Sequence, residues 1–272
     1  MPPAHPVHHL EDVMGTIVTI DVYAAAEVTG SGLDVLHGQL ARAQAVLHHA
    51  DEVFSTWRPD SPVSRLRRGE ISLAQAPAEV AEVLEACAAA RELSHGWFDP
   101  WAMPGGVDPT GYVKGWAAQQ ALVAFSDAAF SDAAFSGAAV SGAIVNAAGD
   151  IASFGGLGNA QPFRVGIADP AAPRRLAAII ELTGAIATSG TYERGNHLID
   201  PHSGQATSGA ASASVTGPDL GLADALATAL AVAGQPGLAL IEALDGYEAL
   251  VIGFDGGKRW TKGFPLVELS RI

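Results

Sequence analysis

Two residues with oxygen-bearing side chains stand one helical turn apart in an otherwise apolar segment. Asp224 and Thr228 are four positions apart, and every residue between them is apolar. We predict a helix over Leu220–Ala233, and on a helix this spacing places both side chains on one face. A carboxylate and a hydroxyl that share a face are the kind of oxygen ligands that a hard cation prefers.

The same pair also has a structural explanation. An aspartate near a helix N-terminus is favoured by the helix dipole, and a threonine can donate a hydrogen bond to a carbonyl one turn earlier. Pairs at this interval are common, so the spacing of Asp224 and Thr228 by itself favours the structural explanation.

A glycine-rich turn before another predicted helix offers a place for a phosphate group. Residues 105–115 read Gly-Gly-Val-Asp-Pro-Thr-Gly-Tyr-Val-Lys-Gly. Backbone N–H groups at such a junction, together with Lys114, can hold a phosphate. The segment matches neither a Walker loop nor a dinucleotide-binding fingerprint. A turn followed by a helix N-cap explains the same residues equally well.

A histidine that could act as a base stands just before another turn. His197 is followed by the turn residues 200–204, Asp-Pro-His-Ser-Gly. An imidazole is the natural group for deprotonating a hydroxyl near neutral pH, although a single histidine is more often structural. The chain contains no Gly-x-Ser-x-Gly and no His-Glu-x-x-His motif, so serine-hydrolase and zinc-protease functions lack their signatures.

The composition limits the classes of protein to which the chain can belong. Its 272 residues, 49% hydrophobic and 16% charged, are those of a globular protein with a sizeable core. The net charge of −14 argues against nucleic-acid binding and is explained by solubility. The single cysteine, Cys87, excludes an intramolecular disulfide and is predicted to be a core residue. We expect no transmembrane segment, because no long apolar run occurs.

The order of predicted elements favours an α+β fold. Helices are predicted early, at 31–53, 77–93 and 111–125, after a first strand at 14–23. Predicted strands follow at 142–147, 163–168, 177–182, 185–188, 211–216, 249–254 and 266–269, interrupted by helices at 220–233 and 236–244. Such grouping differs from regular βαβ alternation. Residues 1–12 are predicted to be a flexible leader before a single unit that spans 13–272.

These motifs, taken in order along the chain, resemble those of one family. They are Met14-Gly15-Thr16, then the segments 54–61 (Phe-Ser-Thr-Trp-Arg-Pro-Asp-Ser), 96–100, 108–115, 148–150, 187–190, 197–204, 214–216 and 223–234. The succession resembles the ApbE family of FAD:protein FMN transferases and covers residues 14 to about 269. Each motif by itself is only weakly specific, but the occurrence of all of them in this order is specific to the family.

The resemblance implies both a fold and an activity. The fold would be an ApbE-like (T-fold-like) single compact α+β unit, with a mixed, mainly antiparallel sheet and flanking helices. The activity would be the Mg²⁺-dependent transfer of FMN from FAD to a threonine or serine hydroxyl, with release of AMP. The partner would be an acceptor flavoprotein that presents this hydroxyl in a short flavinylation motif.

The resemblance also implies roles for individual residues. For Asp224 and Thr228 it favours the metal-ligand explanation over the structural one. Asp224 and Thr228 match the family's side-chain metal ligands, Gly111 matches a position where a main-chain carbonyl can serve, and His197 matches the proposed base. The matches to FAD-contacting positions are Met14, Trp57, Trp97, Phe98, Asp99, Asp108, Lys114 and Ile199. Trp57 replaces the usual tyrosine, so the π-face is kept and the hydroxyl is lost.

Some residues depart from the family pattern. The stretch between Asp99 and Asp108 is shorter than in many members, and His202-Ser203 replaces Arg-Thr. The absence of a signal peptide and of a lipoprotein cysteine leads us to expect a cytoplasmic protein, unless a leader has been trimmed. Two alternatives stay open, a Mg²⁺-dependent FAD pyrophosphatase that yields FMN and AMP, and a non-catalytic FAD-binding protein.

Overall fold

The computed structural model describes residues 6–24, 30–126, 140–157, 161–190, 198–207 and 209–269. The strands are β1 Val7–Val13, β2 Thr16–Ala24, β3 Val140–Ala147, β4 Asp150–Gly155, β5 Phe163–Asp169, β6 Ala172–Leu182, β7 Ala185–Gly190, β8 Ser212–Gly217, β9 Glu248–Ile252, β10 Lys258–Trp260 and β11 Leu266–Leu269. The α-helices are α1 Ser31–Phe54, α2 Pro62–Arg67, α3 Ala78–Leu93, α4 Thr110–Val123, α5 Leu220–Ala233 and α6 Leu238–Glu242.

The strands form two sheets, and every described strand pair is antiparallel. An eight-stranded sheet has the order β1-β2-β3-β4-β7-β8-β9-β10, and a three-stranded sheet has the order β11-β6-β5. Their pairs run antiparallel throughout. The prediction of an α+β fold with a mainly antiparallel sheet is therefore confirmed.

Strand alternation divides the interior into two apolar layers. In β9, Ala249 and Val251 pack with the helices, whereas Leu250 and Ile252 pack against the three-stranded sheet. This division follows from the period of two along a strand, which turns successive side chains to opposite faces. The large sheet thus lies between a helical layer and the small sheet.

Helices α4 and α5 cross closely because each carries a glycine at the contact. A Cβ atom on Gly115 would lie 2.5 Å from the Leu220 carbonyl oxygen. A Cβ atom on Gly221 would lie 2.7 Å from Cζ of Tyr112. Larger residues would hold the two backbones apart, so these glycines allow polar groups of α4 to reach α5.

Two tight turns lie next to each other at one end of the large sheet. Met14 and Gly15 join β1 to β2 with φ of 55° and 69°, and Ala148 and Gly149 join β3 to β4 with φ of 51° and 94°. Val18 of β2 pairs with Ala147 of β3, so the register brings both turns to the same sheet end. Strand β4 begins at this end, immediately after the second turn.

The predicted helices and strands are confirmed, with some shifts at their ends, but one prediction is wrong. Residues 7–12, predicted as part of a flexible leader, belong to β1, which pairs along its whole length with β2. The residues of β1 alternate between half-buried or buried and exposed positions, as expected for an edge strand with one covered face. The sequence prediction also missed α2, β4 and β10. Helix α2 and the three-residue β10 are too short to show a clear period.

Candidate functional site

A buried pair of carboxylates lies where α4 crosses α5, next to the start of β4. Asp224 is 3% exposed, and its Oδ2 accepts a hydrogen bond from Gly115 N at 3.2 Å. Asp150, the first residue of β4, is fully buried. The Asp150 Oδ2 atom lies 2.6 Å from Lys114 Nζ. Two acids and one ammonium group therefore share a site with little access to water.

The surroundings of Asp224 disfavour its charged form. Burial raises the pKa of Asp224 well above its usual value, and the nearby charge of Asp150 raises it further, while Lys114 acts in the opposite direction. Removing a carboxylate from water is costly unless a counter-charge is present. A cation bound beside Asp224 would supply that counter-charge and keep the carboxylate ionised.

The three predicted metal-binding residues lie on facing surfaces of the two helices. Gly115 of α4 lies opposite Asp224, and Gly111, one turn earlier, lies opposite Thr228. A Cβ atom on Gly111 would be 3.6 Å from Thr228 Oγ1. Thr228 Oγ1 is also 3.0 Å from Ser189 Oγ at the end of β7. Because the two helices cross in antiparallel directions, Gly115 of α4 faces Asp224 and Gly111 of α4 faces Thr228.

The donor set fits a hard divalent cation. It offers the Asp224 carboxylate, the Thr228 and Ser189 hydroxyls and the main chain of Gly111, all oxygen donors of the type that Mg²⁺ binds. In the part of the chain that the structure describes, no three His, Cys, Asp or Glu side chains form a metal-binding group. Among the described side chains, a cation here would therefore be bound by the Asp224 carboxylate together with hydroxyl and main-chain oxygens.

Residues 97–99 form a second part of the site next to α4. Phe98 is buried, and its Cε2 atom would lie 3.3 Å from a Cβ atom on Gly111. The Trp97 ring packs edge-on against His202, with the ring centroids 4.4 Å apart. Asp99 accepts hydrogen bonds from Arg91 Nε at 2.6 Å and from Trp101 N at 2.9 Å.

A cleft of about 330 Å³ opens beside Asp99. It is lined by Arg91, Glu92, His95, Gly96, Asp99, Pro201 and His202. Its volume is at the lower end of the range for small-molecule sites, so it can take one ring system and not an entire dinucleotide.

Asp108 lies in a turn that leads directly into α4. Its Oδ1 accepts hydrogen bonds from Thr110 N at 3.0 Å and from Thr110 Oγ1 at 2.6 Å. Its Oδ2 accepts one from Arg67 Nη1 at 3.2 Å. Both oxygens are therefore held by the protein itself, and Asp108 fixes the start of the helix that carries Gly111 and Lys114.

The remaining predicted site residues lie outside α4, α5 and residues 97–99. Met14 lies in the turn at the sheet end where β4 begins with Asp150. Ile199 is half-buried and forms a bridge with Ala206, and Trp57 is 92% exposed. His197, the predicted base, lies outside the described residues.

Sequence reasoning left two contributors out of the site. Asp150 follows the tight turn at Ala148-Gly149, and Ser189 stands in a hydroxyl-rich segment, so each had a local signal. Neither signal indicated which residue would be the partner. Asp150 contacts Lys114, and Ser189 contacts Thr228, only because the fold brings distant segments together.

The fold and the site together define an α+β protein with a buried cluster of oxygen-bearing groups at a helix crossing. The sequence model of the ApbE family matches residues 14–106 and 102–251, and the chain belongs to this family. The FAD:protein FMN transferase of Rhodobacter capsulatus is 36% identical over 121 residues. That match covers 41% of this chain and 23% of the relative, so the chain spans about a quarter of its length.

Solved structures share the fold across nearly the whole chain. The flavin transferase ApbE from Vibrio cholerae matches with a TM-score of 0.77 and 22% identity, covering 95% of this chain and 97% of that one. The ApbE protein from Thermotoga maritima matches with the same TM-score and coverage at 20% identity. The apo form of the Pseudomonas stutzeri flavinyl transferase ApbE gives a TM-score of 0.74 at 23% identity, covering 96% and 97%.

No described helix is both long enough and apolar enough to cross a membrane.

Proposed function

We propose that this protein is a Mg²⁺-dependent FAD:protein FMN transferase, which moves FMN from FAD to a threonine or serine of an acceptor flavoprotein and releases AMP. The observation that carries the proposal is the meeting of Gly111, Asp224 and Thr228 across the α4–α5 crossing, beside Lys114. Membership of the ApbE family and the similarity to the FAD:protein FMN transferase of Rhodobacter capsulatus support the same activity.

The cation would be held by Asp224, Thr228 and the main chain of Gly111. When bound, it supplies positive charge at the pyrophosphate oxygens of FAD. Asp150 holds the Lys114 ammonium at 2.6 Å and so keeps it next to the cation site. Lys114 would add its charge to the same pyrophosphate, and charge stabilisation of this type is the main contribution of proteins to phosphoryl transfer.

The flavin end of FAD would lie on the side of residues 97–99. Trp97 and Phe98 offer aromatic surface there, and the cleft beside Asp99 has room for one ring system. Met14, Trp57, Asp108 and Ile199 complete the proposed FAD contacts.

The reaction needs one proton transfer and one displacement at phosphorus. His197 would take the proton from the acceptor hydroxyl as its oxygen attacks the FMN-side phosphorus. The bond from this phosphorus to the bridging oxygen breaks, and AMP leaves with that oxygen. The new bond joins FMN to the acceptor through a phosphoester. If water attacked in place of the hydroxyl, the products would be FMN and AMP.

The decisive experiment supplies FAD, Mg²⁺ and an acceptor domain, and follows the intact mass of the acceptor. We expect the acceptor to gain one FMN group, and an acceptor with its threonine or serine changed to alanine to gain none. The His197→Ala variant should bind FAD and fail to transfer it, because no group would accept the hydroxyl proton. Free FMN and AMP without a mass change would identify a pyrophosphatase, and unchanged FAD would identify a binding protein.

A further inference from the structure

A short loop connects two of the residues proposed to contact FAD. Asp99 caps a single 3₁₀ turn at Pro100–Ala102 by accepting a hydrogen bond from Trp101 N. The loop closes again where Asp108 N donates to the Pro100 carbonyl at 2.8 Å. The conformation of residues 103–107 therefore sets how Asp99 and Asp108 stand relative to each other.

Arg67, the last residue of α2, contacts this loop at three points. Its Nη2 donates to the Pro104 carbonyl at 2.8 Å, its Nε to the Gly105 carbonyl at 3.3 Å, and its Nη1 to Asp108 Oδ2 at 3.2 Å. The Arg67 side chain is only 15% exposed. A guanidinium has several donors in one fixed plane, and no other side chain can reproduce this set of contacts.

The loop is shaped around Arg67 by two glycines with positive φ. Gly105 has φ of 82° and Gly106 has φ of 106°. A Cβ atom on Gly105 would lie 2.9 Å from Arg67 Nη2, and one on Gly106 would meet the Arg67 backbone at 3.5 Å. A Cβ atom at position 105 would crowd Nη2, and an L side chain would be strained at either of these φ values, so the two glycines allow the loop to lie against Arg67 in this conformation.

The contact with Asp108 extends to the cation site. Asp108 accepts from Arg67 with one oxygen and from Thr110, the first residue of α4, with the other. Helix α4 then presents Gly111 and Lys114. Arg67 is thus two contacts away from the first turn of the helix that would hold both the cation and the pyrophosphate.

We propose that Arg67 is a positioning residue for FAD, acting through the 103–108 loop and Asp108. The inference rests on the proposed function, because it assumes that Asp99 and Asp108 belong to the FAD site. The guanidinium holds the loop in one conformation before FAD binds. The cost of ordering the loop is therefore not subtracted from the free energy of FAD binding.

The test compares Arg67→Met with Arg65→Met, an exposed arginine of the same helix that lies 3.8 Å from Glu70. We measure the dissociation constant of FAD by flavin fluorescence, KM and kcat for transfer, and the melting temperature. Arg67→Met should weaken FAD binding and raise KM by about tenfold or more with little change in kcat, whereas Arg65→Met should resemble the wild type. Arg67→Lys keeps the charge without the planar donor set, and it should recover only part of the affinity.

A second variant leaves the arginine in place. Gly105→Ala introduces a Cβ atom that must displace the guanidinium or the loop. It should also weaken FAD binding, and the double variant with Arg67→Met should lose less affinity than the two single losses combined. Because alanine at a φ of 82° is strained by itself, the coupling with the Arg67 variant, and not the single loss, assigns the effect to the contact. If Arg67→Met does not fold, Arg67→Lys takes its place in the double variant.

The outcomes separate the inference from the proposed function. A wild type that binds FAD without transferring it would contradict the transferase activity, and the affinities of the variants would still test Arg67. A lower melting temperature with wild-type FAD affinity in both Arg67→Met and Gly105→Ala would show that Arg67 is only structural. A wild type without measurable FAD affinity would overturn both.

Discussion

The Asp224 side chain is buried, and Asp150 and Lys114 are its charged neighbours. With one ammonium group for two acids, the cluster lacks a positive charge when both acids are ionised. A carboxyl in this setting keeps its proton unless a cation takes its place. The burial that makes an ionised Asp224 unfavourable in the metal-free protein is therefore the property that would make it a ligand in the proposed site.

We predict that Asp224→Asn abolishes turnover and leaves the fold intact. The amide keeps the size of the side chain and removes the charge that binds the cation, so Mg²⁺ should no longer raise the melting temperature. Stability without metal should be equal to or above that of the wild type, because the asparagine amide is neutral at every pH, whereas Asp224 must take up a proton to be neutral in the metal-free fold. Thermal melting with and without Mg²⁺ measures both effects, and a retained Mg²⁺-dependent rise would contradict the assignment.

We predict that the affinity for Mg²⁺ increases with pH. The raised pKa means that the folded, metal-free protein holds a proton on Asp224 where the unfolded chain has lost it. Stability without metal therefore falls as pH rises from the usual carboxyl pKa through the raised one, and Mg²⁺ must displace the proton. Below the raised pKa, affinity should grow by about tenfold per pH unit. Calorimetric titrations across this range measure it, and an unchanged affinity would contradict the raised pKa.

The crossing of α4 and α5 shows how two helices can bring a buried site together. Gly115 brings α4 against the start of α5, and its N–H group donates to Asp224. Helix α5 is capped at its N-terminus by Asp219, whose side chain accepts a hydrogen bond from Leu222 N at 2.6 Å. The cap fixes where the helix starts, and thereby which face carries Asp224 and Thr228.

We predict that Gly115→Ala destabilises the protein by about 1–3 kcal/mol and weakens Mg²⁺ binding. The added methyl group would lie 2.5 Å from the Leu220 carbonyl oxygen and 3.1 Å from Asp224 Cβ, so the helices must separate. Gly38→Ala is the matched control in α1, where an added Cβ has nothing within 4 Å. The control should gain up to about 1 kcal/mol from helix propensity. Urea unfolding and Mg²⁺ titration of both variants test the contact.

Strand β1 is attached to α1 by hydrogen bonds to one carboxylate. Glu11 accepts hydrogen bonds from Gln44 Nε2 at 2.6 Å, from His9 Nε2 at 2.9 Å and from His48 Nε2 at 2.8 Å. These bonds, that from Gln44 first, lower the pKa of Glu11 from 4.5 to about 2. The polar contacts explain why residues predicted as a leader form an ordered edge strand.

We predict that Glu11→Gln costs roughly 1–2 kcal/mol at neutral pH, because hydrogen bonds to a charged acceptor are lost. A lowered pKa stabilises the folded state above the unfolded value, so the contribution should disappear as pH falls from 4.5 towards about 2. Glu52→Gln, at an exposed position of α1, is the control. Denaturant unfolding across this range measures the difference, and a difference that persists at the lowest pH would contradict the linkage.

At the scale of the whole molecule, the two apolar layers have different relations to the site. The layer between the large sheet and the helices contains the α4–α5 crossing, whereas the layer beneath the small sheet lies on the opposite face. The small sheet therefore supports the large sheet without contributing any of the described site residues.

We predict that Ile180→Ala lowers stability by about 2–5 kcal/mol and leaves KM for FAD unchanged. Ile180 lies in β6 and is fully buried between the sheets, so the substitution leaves a cavity on the face away from the site. Val267→Ala, in β11 and 44% exposed, should be close to neutral. Unfolding and steady-state kinetics of both variants test the separation, and a large change in KM would show that the lower layer influences the site.

The sequence by itself determined the long elements and the pairs within them. Periods of 3.6 and 2 located most helices and strands, and the four-residue interval put Asp224 and Thr228 on one face. The sequence could not decide whether this pair binds a metal or is only part of a capped helix, because both explanations fit the same local spacing. Short elements such as α2 and β10 were missed, since a few residues carry no clear period.

The tertiary structure decided which partners these residues meet. Gly115 and Asp224 are 109 positions apart in the chain, and their contact depends on close packing at the α4–α5 crossing. The contact between Lys114 and Asp150 also depends on the packing of distant elements. The same is true of the contact between Arg67 and the 103–108 loop. Local sequence fixes the direction of a side chain from its own element, but burial and partner depend on which elements pack together. Only folding removes Asp224 from water, and the chemistry proposed for it depends on that removal.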